Sequence, residues 1–85
     1  QPQAPVIYPN PAGAESRLSW FSKSAGLSRL TVIDAKGQNL FHSTVQVYRG
    51  LNNMSATFLQ RFPAGMYIIS MQIDGKWHRI RIIKK

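Results

Sequence analysis

Apolar and polar residues alternate in short runs along this chain, and nowhere do apolar residues recur at i, i+3, i+4 and i+7 for long enough to define a helix face. The alternation predicts strands. Val6 to Tyr8 reads as a short first strand stopped by Pro9 and Pro11, which lack the N–H that a ladder needs. Arg17 to Ser22 places Leu18 and Trp20 on one face, and Arg29 to Asp34 does the same for Leu30 and Val32. Asp34-Ala35-Lys36-Gly37 has Asp first and Gly fourth, the preference of a type I turn. Leu40 to Tyr48 reads as a fourth strand. Met54 to Leu59 reads as a fifth that aligns Met54, Ala56 and Phe58, with Gly50 and Asn52-Asn53 separating the two.

The last hairpin is the best specified. Asp74-Gly75 between two alternating runs is a two-residue turn signal. It pairs Ile73 with Lys76, and hence Met71 with His78, Ile69 with Ile80 and Tyr67 with Ile82 on one face. The other face pairs Gln72 with Trp77, Ser70 with Arg79 and Ile68 with Arg81. A slip of one residue would turn every apolar side chain to the wrong side. About seven short strands at this spacing predict an all-β fold, an immunoglobulin-like antiparallel sandwich. Tyr67, just after Pro63-Ala64-Gly65-Met66, sits where such sandwiches place a tyrosine corner, its hydroxyl bonding to upstream backbone.

Composition narrows the function. Eighty-five residues make one small domain, with 44 % hydrophobic residues arguing against disorder. There is no cysteine, hence no disulfide or thiolate chemistry. No apolar run reaches the ~18 residues of a membrane-spanning helix. The chain starts at Gln1 rather than Met, as expected of a processed or excised piece. Eleven Lys and Arg against three acids give +8, a balance that favours acidic partners.

Candidate chemistry is thin. Asp34 and Asp74 are accounted for by turns, which leaves Glu15 without a second carboxylate for acid–base work. His42 and His78 are unlinked and lack clustered carboxylates, so neither a metal site nor a cofactor is implied. No nucleophile motif or phosphate-cradling glycine loop occurs, and the chain reads as non-enzymatic. The distinctive charge lies near the C-terminus, where Lys76, Arg79, Arg81, Lys84 and Lys85 have no acid after Asp74. Arg79 and Arg81 share a face with Trp77. Such a face suits either single-stranded nucleic acid or an edge strand whose charges block sheet-to-sheet aggregation.

The order of these features resembles the C-terminal sorting domain of type IX secretion cargo in the Bacteroidetes, type A. The resemblance rests on Tyr8-Pro9-Asn10-Pro11, on Leu30 to Asp34 with Gly37 and Leu40-Phe41, on Gly65-Met66-Tyr67, on Ile68 to Gly75, and on the basic apolar run His78 to Lys85. Trp20-Phe21 and Gln46 to Asn53 match no fixed part of that pattern. The resemblance implies a linker over residues 1–5 from an upstream cargo and a sorting domain over 6–85. It implies cargo that transits the periplasm, recognition by an outer-membrane β-barrel shuttle protein and the translocon, and removal of the domain by a cell-surface sortase. Strand and tail would then be read by that machinery, making Lys84, Lys85, Arg81, Arg79 and Trp77 the candidate partner-binding residues. Lys84 and Lys85, beyond the paired apolar residues, are expected to project from the sandwich. No specific nucleic acid is implied. The alternative is an adhesion or carbohydrate-binding accessory module on the same fold.

Overall fold

Two antiparallel sheets carry the chain, in a computed structural model that describes residues 5–85. The strands are β1 (Val6–Tyr8), β2 (Arg17–Ser22), β3 (Gly26–Asp34), β4 (Asn39–Val47), β5 (Gly50–Ser55), β6 (Gly65–Ile73) and β7 (Lys76–Lys84). One sheet has the order β1-β2-β5 and the other β4-β3-β6-β7, so the fold is the expected β-sandwich. Apart from Pro5, which is fully buried, the linker expected over 1–5 lies outside the described residues.

The inward positions of each alternating run meet in one core. Leu18 and Trp20 come from the smaller sheet, and Leu30, Val32, Tyr67, Ile69, Met71 and Ile82 from the larger. Each fully buried aliphatic side chain contributes roughly 1.5–3 kcal/mol, so this shared face holds the two sheets together. The β6–β7 register is the one read from the turn, running from Ile73↔Lys76 through Ile69↔Ile80 to Tyr67↔Ile82. Asp74 and Gly75 have φ of 52° and 79°, the two positive values of a type I′ turn. The β3–β4 turn also forms as read: the Gly37 amide donates to the Asp34 carbonyl at 3.0 Å.

The fifth strand is a correction. It spans Gly50–Ser55 rather than Met54 to Leu59, and Gly50, Asn52 and Asn53 belong to it instead of separating strands. Asn52 explains why turn-type residues sit here. Its buried side chain accepts from the Tyr48 amide at 2.8 Å and donates to the carbonyls of Tyr48 at 2.8 Å and Gly50 at 3.1 Å, closing the β4–β5 turn from within. The strand ends early because the chain must cross to the other sheet. Thr57–Arg61 coils into a 3-10 helix that carries Leu59 into the core and stacks Phe58 on Phe41, with ring centroids 5.5 Å apart. The crossover is locked at its far end by Tyr67, whose hydroxyl donates to the Pro63 carbonyl at 2.6 Å, the tyrosine corner expected there.

Candidate partner-binding surfaces

β7 is an edge strand, and its C-terminal end is covered by the segment that follows β1. Pro9 and Pro11 stop β1 at Tyr8, with both Tyr8–Pro9 and Asn10–Pro11 in cis. The fully buried Ser16 then closes the segment, its hydroxyl donating to the Pro9 carbonyl at 2.8 Å and accepting from the Gly13 amide at 2.9 Å. The resulting strap lies along β7. The Ile83 amide donates to Asn10 Oδ1 at 3.1 Å, the Ala12 amide to the Ile83 carbonyl, and the Lys85 amide to the Ala12 carbonyl at 3.0 Å. A Cβ on Gly13 would sit 3.0 Å from Lys85 Cε and 3.1 Å from Glu15 Oε1, both near the ends of exposed, flexible side chains.

This corrects the expectation that Lys84 and Lys85 project beyond the sandwich. Lys84 pairs with Gly65 inside the β6–β7 ladder and is half-buried, while Lys85 is fastened to Ala12 through its backbone. Glu15 is the partner that spacing could not reveal, with Lys85 Nζ 3.6 Å from its Oε2. Both side chains are well exposed, so the ion pair adds little beside the backbone bonds.

Trp77, Arg79 and Arg81 point outward from β7 as read, and Trp77 is 55 % exposed whereas Trp20 is 3 % exposed in the core. The tertiary structure adds residues to their face. Thr31 of β3 lies opposite both His42 of β4 and Ser70 of β6, and Ser70 lies opposite Arg79, so His42 and Arg79 share one cross-strand row. In the neighbouring row Arg29, Thr44, Gln72 and Trp77 line a common trough together with Leu27. His78, by contrast, lies on the inward side of β7 and is half-buried. Sequence reasoning missed Arg29 and His42. The parity of β3 already turned Arg29 away from Leu30 and Val32, but only the strand order sets it across β6 from Trp77.

Every acid is engaged off this face. Asp34 Oδ1 accepts from the amides of Lys36 and Gln38, both at 2.9 Å. Asp74 accepts from the Lys23 amide at 2.9 Å and from the hydroxyls of Ser24 and Ser22 at 3.1 and 3.2 Å. The Lys23 amide, aided by these hydroxyls, holds its carboxyl below the usual aspartate value against the opposing effect of desolvation. These bonds tie the β6–β7 turn to the end of β2 and thus join the two sheets.

Comparison with known families matches the chain, over residues 6–85, to the family described as secretion system C-terminal sorting domain. No curated protein matches it.

Proposed function

This chain belongs to the secretion system C-terminal sorting domain family, as a match across nearly its whole length requires, and from that membership we propose how it works. It is a type IX secretion sorting signal, and its cargo is destined for the cell surface or the extracellular space. On our reading the domain acts by binding and not by catalysis. Folded in the periplasm, it is recognised by an outer-membrane β-barrel shuttle protein that delivers the attached cargo to the translocon. A surface sortase then cuts on the N-terminal side of Val6. The match over residues 6–85 carries this reading, because it takes in the strap and the tail that the strap holds.

Recognition of Lys84 and Lys85 then concerns a fixed epitope. The tail is presented beside Asn10 and Glu15 in one geometry, so a receptor meets it without ordering a free segment and without that entropic cost. The test is a reporter with an N-terminal export signal, fused upstream of residues 1–85 in a bacterium that has type IX secretion. The intact fusion should reach the surface or medium without the domain. A Lys84→Ala/Lys85→Ala variant, which keeps the backbone bonds, should accumulate in the periplasm. If the intact fusion stays in the periplasm, the sorting reading fails and the adhesion or carbohydrate-binding alternative takes its place.

A further inference from the structure

The outward face of the four-stranded sheet carries Arg29, Arg79 and Arg81 with no carboxylate among them. All three are exposed, and none has an ion pair or side-chain hydrogen bond among the described residues. Arg79 and Arg81 are two residues apart on β7, a spacing of about 7 Å, while Arg29 lies two strands away in the row of Trp77, about 12 Å from Arg79 and about 16 Å from Arg81. The Arg79–Arg81 spacing is within the Debye length of about 8 Å at physiological salt, so these two like charges repel in the free domain, whereas Arg29 stands beyond that range.

Edge protection accounts for only part of this. Charges on β7 discourage pairing with another sheet, since β7 is an edge. Arg29 is on β3, an interior strand flanked by β4 and β6, where no edge needs blocking. An exposed arginine without a carboxylate partner there is available to something that lies across the sheet. Arginine is also the side chain whose planar fork fits a carboxylate through two parallel bonds.

Resting on the sorting reading, we infer that this face docks an acidic polypeptide segment of a partner protein, with Arg29, Arg79 and Arg81 pairing its carboxylates across the strands. Trp77 and Gln72, which line a trough with Arg29, supply an apolar anchor and an amide beside the charges. Trp and Arg together are the composition of protein–protein hot spots. Single-stranded nucleic acid stacks successive bases on several aromatic rings, whereas Trp77 is the only Phe, Tyr or Trp on the outward positions of the four strands. Anionic membranes are read by clusters of basic residues with no need for an amide-lined trough.

The experiment titrates the isotope-labelled domain with a peptide of alternating Glu and Val, followed by amide chemical shifts. The matching Gln and Val peptide, an oligothymidine and phosphatidylglycerol vesicles serve as competitors. The acidic peptide should shift Thr31, Ser70, Gln72 and Arg79. Arg29→Glu should weaken binding by roughly tenfold or more, as loss of a paired interfacial charge does. Arg17→Glu, the same charge change on the opposite sheet, should leave affinity within about twofold, as expected of a charge distant from the contact. Equal weakening by Arg29→Glu and Arg17→Glu overturns the inference, because only net charge would then matter. Shifts confined to Ile83 and Lys85 overturn it too, and displacement of the peptide by oligothymidine or vesicles would do so in favour of those ligands. In the export assay, an intact fusion that is exported together with an unimpaired Arg29→Glu fusion refutes this face and leaves the sorting reading standing. An intact fusion that is not exported refutes the sorting reading itself, while the peptide titration still decides what the face binds.

Discussion

The Lys85 amide donates to the Ala12 carbonyl at 3.0 Å, joining two positions that lie at opposite ends of the sequence. With the Ala12 and Ile83 pair and the Asn10 side chain, this makes the strap and the tail one structural unit. The basic tail is therefore part of the folded surface, and its side chains are displayed from a fixed backbone.

Removing Lys84 and Lys85 should consequently cost stability, about 1–2 kcal/mol for the loss of backbone pairing to Gly65 and Ala12. Asn10→Ala should cost about 1 kcal/mol by leaving the Ile83 amide without its acceptor. Urea denaturation measures both, and hydrogen exchange at Ile83 should accelerate in Asn10→Ala. Unchanged exchange there would mean that the strap does not hold the tail in solution.

Tyr67 has two separable roles. Tyr67→Phe keeps the ring against Phe62 but deletes the bond to Pro63, for a loss of about 1 kcal/mol. Tyr67→Ala also empties a core site that is only 5 % exposed, and should cost roughly 3–5 kcal/mol. In thermal denaturation the first change lowers Tm by about 4–8 °C for a domain of this size. Equal losses for the two variants would assign the whole effect to the hydroxyl.

Asn52→Ala should destabilise by about 1–3 kcal/mol, since it strips the Tyr48 amide and carbonyl of a buried partner. Asn52→Asp keeps the acceptor for Tyr48 N–H but loses the donor, so it should not restore full stability. Denaturant midpoints distinguish the two variants from the parent.

Acid should weaken the link between the sheets at Asp74. Its carboxyl is held below the usual value in the folded state, chiefly by the Lys23 amide. A lowered folded pKa means that the unfolded chain takes up the proton first as pH falls. The contribution is thus complete above the ordinary aspartate pKa of about 3.9 and is lost as pH drops through the lower folded value. Asp74→Asn tolerates the positive φ of this turn and should flatten stability against pH in that acid window. Calorimetric scans from neutral pH downward would show the parent and Asp74→Asn curves converging, and parallel curves would remove Asp74 from the link.

Much of the fold was legible because its signals are local. The β6–β7 register follows from Asp74-Gly75 and the period of two, and the tyrosine corner from the placement of Tyr67 after Pro63 and Gly65. The outward direction of Trp77, Arg79 and Arg81 follows from the same alternation. The failures are equally physical. Asn52 has the composition of a loop residue, yet its amide folds back on Tyr48 and Gly50, a choice made by burial and not by propensity. Glu15 and Lys85 are seventy residues apart, and no periodicity relates them; the meeting of strap and tail brings them together. Arg29 reads from its own strand as an ordinary outward charge, and shares a trough with Trp77 because β6 pairs with both β3 and β7. Spacing along a strand specifies which way a side chain faces. Which side chains it faces with depends on strand order and crossovers, and these are settled by how the two sheets bury their apolar sides against each other.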